Sequence, residues 1–335
     1  MTEFVMRRLV SLVGVLLVLS MAVFLIQSVL PADPVRASLG ANASPELVEQ
    51  KRQELGYNDP ITTQYVTFLG KLSQGDLSTS LRTKRPVVSD LGRFAKPTFE
   101  LAAFSAMLAM GMGLALGVWS ARGGKASAVA RVVMLGAASA PTFFVAILGV
   151  LVFYRKLGWL PASGRLDRMK VPAGPSGFYL LDSVLHRNWS WFWSTVRHLA
   201  LPSFCLAIGP AVAIGRVLRG TLSEVLRQDH VRTARSKGLG EWRIMLRHGL
   251  RNSLQPTLAM AGLQVGLLLT GVVVIELVFA WPGLGLYTTQ AIQQADFPAV
   301  IGIVLVMGTA YVVVNALVDI GQVVADPRLR NRSRG

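Results

Sequence analysis

Residues 216–256 read RVLRGTLSEVLRQDHVRTARSKGLGEWRIMLRHGLRNSLQP, with nine Lys/Arg against three acids. The runs 199–215 and 252–275 on either side hold glycine and proline but no charged residue. A compact cationic loop able to form helix, set between two apolar runs, is a loop that a membrane protein presents to something on one face.

Working outward, the 335-residue chain is 52% hydrophobic and only 16% charged, where a soluble chain is about a quarter charged. Six uncharged runs set the class: 9–32, 101–121, 132–154, 199–215, 252–275 and 297–318. Five reach the roughly 20 residues needed to cross a hydrocarbon core. The fourth is short and carries Pro202 and Pro210, so its span must extend past a charged end or bend. The expectation is an all-α polytopic membrane protein with six transmembrane helices and an amphipathic cytoplasmic loop between the fourth and fifth. Three segments follow: 1–32 with the first span, an outer (periplasmic) segment at 33–97, and a core at 98–335.

The net charge of +16 suggests nucleic acid until its distribution is examined. With the N-terminus inside, segments 1–8, 122–131, 216–256 and 319–335 carry 18 cations in 76 residues. The outer segments carry 16 in 133, about half that density, as the positive-inside rule requires. The charge records topology and contact with anionic lipid, with both termini cytoplasmic and no nucleic-acid role. Arg7-Arg8 precede a run longer than a signal-peptide core, so an uncleaved first span is expected. The single Cys205 lies within a span, which leaves no disulfide or multi-cysteine metal site within one chain.

In the outer segment, Ser44 and Glu46 suggest a short capped helix over 44–55, and 61–69 with Leu72 reads as amphipathic. Gly75-Asp76-Leu77-Ser78 reads as a turn. A second outer segment runs from Leu160-Pro161-Ala162-Ser163-Gly164 past Pro172, Gly174, Pro175 and Gly177. Trp189, Trp191 and Trp193 then anchor the fourth span at headgroup level. Gly111, Gly113 and Gly117, with Gly262, Gly266 and Gly271, permit close helix packing or a bundle that rocks around a pathway.

The loop divides into three pieces. Residues 216–227 prolong the fourth span as an amphipathic helix. Asp229 caps a short helix, 230–237, which stops at Gly238. Residues 241–254 form a third helix with Trp242, Met245, Leu246, Gly249, Leu250 and Ser253 on one face, expected to be tightly buried, and Gln255-Pro256 marks re-entry into the membrane. The middle helix, rich in Arg232, Arg235 and Lys237, is too short to stand alone in water and needs flanking helices or a partner groove. It is either a hairpin resting on anionic lipid or a force-transmitting contact with a cytoplasmic subunit.

Glu100 and Glu276 each abut the predicted outer end of an apolar run, and Glu276 leads into the rigid turn Trp281-Pro282-Gly283-Leu284-Gly285. A carboxylate at membrane depth faces a cavity or finds a partner. These acids either attract a cationic group at an outer mouth or pair with an arginine. Gly123-Gly124-Lys125 is not a phosphate loop: Trp119 stands where the first glycine belongs and Ala126 where Ser/Thr must hold magnesium. The four histidines are spread over two sides, and no G-x-S-x-G or H-E-x-x-H occurs. No catalytic, cofactor or metal residue is expected. A passive channel would show filter rings or a continuous polar helix face, and neither is present.

His230-Val-Arg-Thr-Ala-Arg-Ser-Lys-Gly238, followed by Leu246-Arg-His-Gly-Leu-Arg-Asn-Ser-Leu-Gln-Pro256, resembles the cytoplasmic signature of permeases from binding-protein-dependent ABC importers, most like the dipeptide/oligopeptide/nickel branch. Asp33-Pro34, Gly75-Asp76-Leu77, Thr98-x-Glu100-Leu101, Leu157 to Gly164, Val274 to Gly285, Asp296-Phe-Pro298 and Asn315-x-Leu-Val-Asp319 match in the same order. The insert Gly177 to Asp182 looks like the longer dipeptide-type members and favours dipeptides over nickel, with glutathione and longer peptides as open alternatives. The resemblance implies that Val231, Arg232, Thr233, Ala234, Arg235, Lys237 and Gly238 form a coupling helix seated on a separate ATPase subunit. Asp229, Glu241, Trp242, Arg251 and Pro256 would support the loop. Arg232-Thr-Ala stands where the wider superfamily shows Glu-Ala-Ala, so one expected interface charge is missing. Glu100, Glu276, Trp281, Pro282, Gly283 and Asp296 are candidates for the path or outer gate. The implied partners are a distinct second permease, two ATP-binding subunits that hold ATP and Mg, and a periplasmic or lipid-anchored substrate-binding protein. The implied location is the bacterial inner membrane.

Overall fold

The computed structural model describes residues 2–29, 44–54, 56–167, 174 and 176–325. Asp33-Pro34, Pro172, Pro175 and residues 326–335 lie outside the described residues. Those that are described form helices and connecting loops, with one isolated bridge between Thr79 and Pro86. They divide into two compact units, Met1–Lys96 with Gly283–Val313 and Pro97–Pro282 with Val314–Gly335.

The first unit begins with α1 (Thr2–Val29), followed by α2 (Pro45–Glu54) and α3 (Ile61–Ser73). Ser44 Oγ accepts from Leu47 N at 3.3 Å, the cap the sequence suggests. Phe24 of α1 packs against Tyr65 and Phe68 of α3, and Ser20 Oγ lies 2.9 Å from the Tyr65 hydroxyl. The turn at 75–78 is present: Gly75 adopts φ +75°, and Asp76 Oδ1 accepts from Ser78 N at 2.8 Å. The core gathers Val87 and Leu91 from the start of α4 (Val87–Ala121), Leu284, Tyr287 and Ala291 from α12 (Leu284–Gln293), and Ala299 and Ile303 from α13 (Phe297–Ala325).

The second unit holds the rest of α4, then α5 (Gly124–Ser139), α6 (Thr142–Gly149) with its π-helical continuation Val150–Lys156, and α7 (Tyr179–Leu185). It continues with α8 (Trp189–Val225), α9 (Asp229–Ser236), α10 (Glu241–Arg243), a π-helical stretch Ile244–Leu250, and α11 (Arg251–Val278). α8 and α11 make the most extensive pairing. In lipid, water exclusion cannot drive helices together, so close packing must. Gly113 and Gly117 show how: a Cβ there would fall 2.7 Å from Ile214 and Leu218 side-chain atoms of α8, so α4 approaches at a distance only glycine permits. Gly111 faces no such neighbour.

The described residues of the six apolar runs fall on helices, apart from the break at Ala140-Pro141 in the third. Four stretches, Val87–Ala121, Trp189–Val225, Glu241–Val278 and Phe297–Val318, are long and apolar enough to cross a membrane. The fourth run extends past Arg197 and His198 as one helix through Pro202 and Pro210. Two runs differ from a simple span. The third is a pair, Ser127–Ala137 and Thr142–Lys156, bent by 106°. Pro141 explains the break, because the residue before a proline is pushed out of the helical region, and Ala140 is extended at ψ 126°. The first run contributes a shorter apolar helix, Val10–Leu25.

Pro256 does not begin a new helix. It lies inside α11, and helix continues from Glu241 to Val278 without interruption. The π-wound stretch Ile244–Leu250 immediately precedes α11.

Candidate coupling surface and outer-end cluster

The hairpin is built as a rigid mount. α8 runs on to Val225, where Leu218 and Leu222 pack with Met245. Gly249 makes the tightest point: a Cβ there would sit 2.5 Å from Leu222 Cδ1. α9 then crosses with Val231 and Ala234 buried against Ile244, Leu226 and Leu239. Its apolar face is used up within the hairpin.

α9 stops at Gly238 for a stereochemical reason. Gly238 adopts φ +77°, its N–H donates to Arg235 O at 2.9 Å, and Leu239 N donates to Ala234 O at 3.3 Å. This is the Schellman pattern, with Leu239 packed beside Ala234 as its usual hydrophobic contact. At the other end the cap expectation needs correction. Gln228, not Asp229, is the N-cap residue, and it makes no side-chain cap; Asp229 is the first helical residue, where its charge complements the helix dipole.

Arg235 binds Glu241 through two hydrogen bonds, Nε to Oε1 at 2.7 Å and Nη2 to Oε2 at 3.2 Å, bridging α9 to α10. This pairing holds the Glu241 carboxyl below its ordinary range and raises the Arg235 guanidinium further. Both side chains are largely exposed, so the bridge orients the loop more than it stabilises the fold. Arg232, Thr233, Ser236 and Lys237 form the outward face, and Arg232 and Lys237 have no ion-pair partner among the described residues.

The supporting residues divide. Arg251 and Pro256 are exposed, at the start of and inside α11. Trp242 was expected to be tightly buried, yet it is 50% exposed and stacks with Arg122, whose Cζ lies 4.2 Å from the ring centroid. The rest of the expected face divides: Met245, Gly249 and Ser253 are buried as expected, Leu250 is half-buried and Leu246 turns outward, while Ile244 joins the buried side.

At the other end of the second unit, four polar side chains are almost completely buried. Glu100 (6% exposed) pairs with Arg165 (7% exposed) and accepts from Leu180 N at 2.8 Å. The Arg165 guanidinium lies over the Tyr179 ring at 3.7 Å, and its Nε has no hydrogen-bond partner among the described residues. Glu276, fully buried, accepts from Thr98 Oγ1 at 2.6 Å. Trp281 Nε1 donates to Pro97 O at 3.0 Å, and Gly164 N donates to Phe279 O at 3.1 Å. The arginine alternative describes Glu100; Glu276 accepts from a threonine. Arg165 is the residue the sequence reading missed; the expected acid–arginine pair was a signal for it, but nothing in the sequence selected this arginine. Pro282 ends this unit.

Gly283 and Asp296 belong to the first unit. Gly283 is the N-cap of α12. Asp296, fully buried, accepts from the Ser80 hydroxyl, from Leu81 N at 3.0 Å and from Arg82 N at 3.2 Å. It fixes the 80–82 loop at the start of α13. Beside it, Tyr287 Oη donates to Asp90 Oδ2 at 3.1 Å. Burial, with the Asp90 charge adding to it, pushes the Tyr287 phenol up to about 12.

Apolar helices of spanning length, glycine-tight crossings and a rigid cationic hairpin define a polytopic helical membrane protein organised around an inter-span loop. Residues 113–331 match the family described as binding-protein-dependent transport system inner membrane component, and residues 1–88 match its N-terminal region. The chain belongs to this family of inner-membrane transport permeases. It is 34% identical to a dipeptide transport system permease protein of Alkalihalophilus pseudofirmus, covering 98% of this chain and 100% of that one. It is 40% identical to a probable D,D-dipeptide transport system permease protein of Escherichia coli, covering 91% of each. It is 34% identical to a glutathione transport system permease protein of Pectobacterium atrosepticum, covering 98% of this chain and 99% of that one.

Proposed function

We propose that this chain is one permease subunit of an ATP-driven importer that carries dipeptides or short peptides into the cytoplasm. Its six apolar runs act as six spans with both termini inside, residues 98–335 form the permease core, and residues 33–97 face outward. Partners are a second, distinct permease, two ATP-hydrolysing subunits that hold ATP and Mg, and an external binding protein. The substrate class rests on relatives named for dipeptide transport over nearly the full chain. A relative of equal identity is named for glutathione, which makes that tripeptide the second cargo to test.

One observation carries the coupling role. α9 buries its apolar side against its own hairpin and offers only polar and cationic side chains outward. A helix that lies in a lipid interface keeps an apolar face free to insert, and this one has none to spare. Its outward face, Arg232 to Lys237, therefore docks on a protein groove. Motion of that groove passes from Val231 and Ala234 to Ile244, and from Gly249 to Leu222 and α8, through contacts too tight to slip. Coupling needs two states that the partner distinguishes, and ATP-driven closure of the ATPase pair supplies them.

At the outer end, the Glu100–Arg165 pair, the Leu180–Glu100 bond and the Thr98–Glu276 bond hold Gly164-Arg165, Tyr179-Leu180 and the Phe279–Pro282 turn in a closed arrangement. These contacts are the outer gate. The deciding experiment reconstitutes the complex with its binding protein and measures ATP-dependent uptake of labelled dipeptide, glutathione and a longer peptide. Uptake of none of these, with the complex intact and its ATPase active, refutes the substrate class.

A further inference from the structure

The last two turns of α4 leave an open groove of about 440 Å³ against the start of the 241–250 stretch. Leu114, Val118 and Trp119 line one wall, Trp242 and Leu246 the other, and Arg122 closes one end. Trp119, Trp242 and Leu246 are each about half exposed, at 54%, 50% and 49%. The Arg122 guanidinium lies over the Trp242 ring, and it has no carboxylate or hydrogen-bond partner among the described residues.

The order of chemistry along the groove is informative. From residue 114 to 122 it passes from aliphatic to indole to guanidinium over about 12 Å of helix. Lys125 is exposed just beyond. Tryptophan belongs at the headgroup boundary of a bilayer, and basic pockets between spans take anionic lipid headgroups. An acyl chain, its ester region and a phosphate present the complementary sequence in the same direction. A helix from another protein chain would have to bring a carboxylate of its own to meet the guanidinium, whereas an anionic lipid carries its charge at the end of its apolar chain.

We propose that this groove is a binding site for one anionic phospholipid, with an acyl chain along Leu114 and Val118 and the phosphate on Arg122. The site requires only that α4 crosses the membrane; it does not depend on how the hairpin couples to an ATPase.

The test is lipid quantitation and native mass spectrometry of the complex purified in mild detergent. One phosphatidylglycerol or cardiolipin should stay with each chain in the native sequence and in Arg122→Lys. Arg122→Gln should reduce that occupancy about fivefold, the worth of one cation at the membrane surface. Val118→Trp fills the groove without touching charge and should also expel the lipid. Equal lipid content in the native, Arg122→Gln and Val118→Trp complexes overturns the proposal. A photo-crosslinker at position 246 gives an independent reading in which Arg122 is unchanged. Capture of phospholipid supports the site, and capture of another polypeptide overturns it.

Discussion

Replacing Gly238 tests the hairpin at a position where conformation and packing can be separated. A Cβ at 238 would meet nothing within 4 Å, so a substitution there costs only what the φ of +77° imposes. For an L-residue that is about 1–2 kcal/mol, less for asparagine and more for a β-branched side chain. α9 has eight residues and cannot hold its own conformation, so the cost falls on the seating of Val231 and Ala234. At 2 kcal/mol the ratio of seated to unseated hairpin falls about thirtyfold. Gly238→Asn should therefore keep substrate-stimulated ATP hydrolysis near normal, Gly238→Ala should lose part of it, and Gly238→Val most of it. The assay is peptide uptake and ATP hydrolysis in proteoliposomes, with membrane insertion confirmed for each variant. Full coupling in Gly238→Val, or equal loss in the asparagine and valine variants, would refute the reasoning.

Other consequences follow from the buried polar groups and the close helix crossings. Arg165→Ala strands a buried carboxylate and should lower stability by about 3–5 kcal/mol, whereas Glu100→Leu combined with Arg165→Met should recover most of it; thermal unfolding in detergent reads both. Gly117→Val drives a side chain into Leu218 and should cost about 1–3 kcal/mol, seen as a lower unfolding temperature and reduced yield. Tyr287 titrates higher in the fold than in the unfolded chain, so its contribution is intact below about pH 10 and is lost as pH rises through about 12. Tyr287→Phe should flatten that alkaline loss, measured by unfolding from pH 9 to 12. An unchanged alkaline profile would show that another group is responsible.

Features governed by local chemistry were legible in the sequence. The Ser44 cap, the Gly75–Ser78 turn, the Gly238 stop and the passage of one helix through Pro202 and Pro210 each depend on a few neighbouring residues or on the rules of lipid. Features set by tertiary contact were not. Trp242 lies in the apolar pattern of its helix, yet it is half exposed and stacks with Arg122, a contact from a distant part of the sequence that periodicity does not foresee. Pro256 reads as a boundary yet sits within α11. Asp229 is a good capping residue, but the helix begins one position early. The outer-end cluster was half legible. Glu100 and Glu276 stood out as acids beside apolar runs, while their partners Arg165 and Thr98 lie 65 and 178 residues away in sequence. Asp296 stands with them by motif alone, and its bonds to the 80–82 loop, within the first unit, could not be read from the sequence.

The central claim is that the outward face of α9 lies in the cytoplasm against an ATP-hydrolysing subunit. Cys205 is the only native cysteine and is buried, so a cysteine placed at Lys237 gives a clean probe. In the assembled complex it should resist membrane-impermeant thiol reagents added outside intact cells and should crosslink specifically to the ATPase subunit. Labelling from outside, or crosslinking in the intact complex that captures lipid and never the ATPase, would contradict the account.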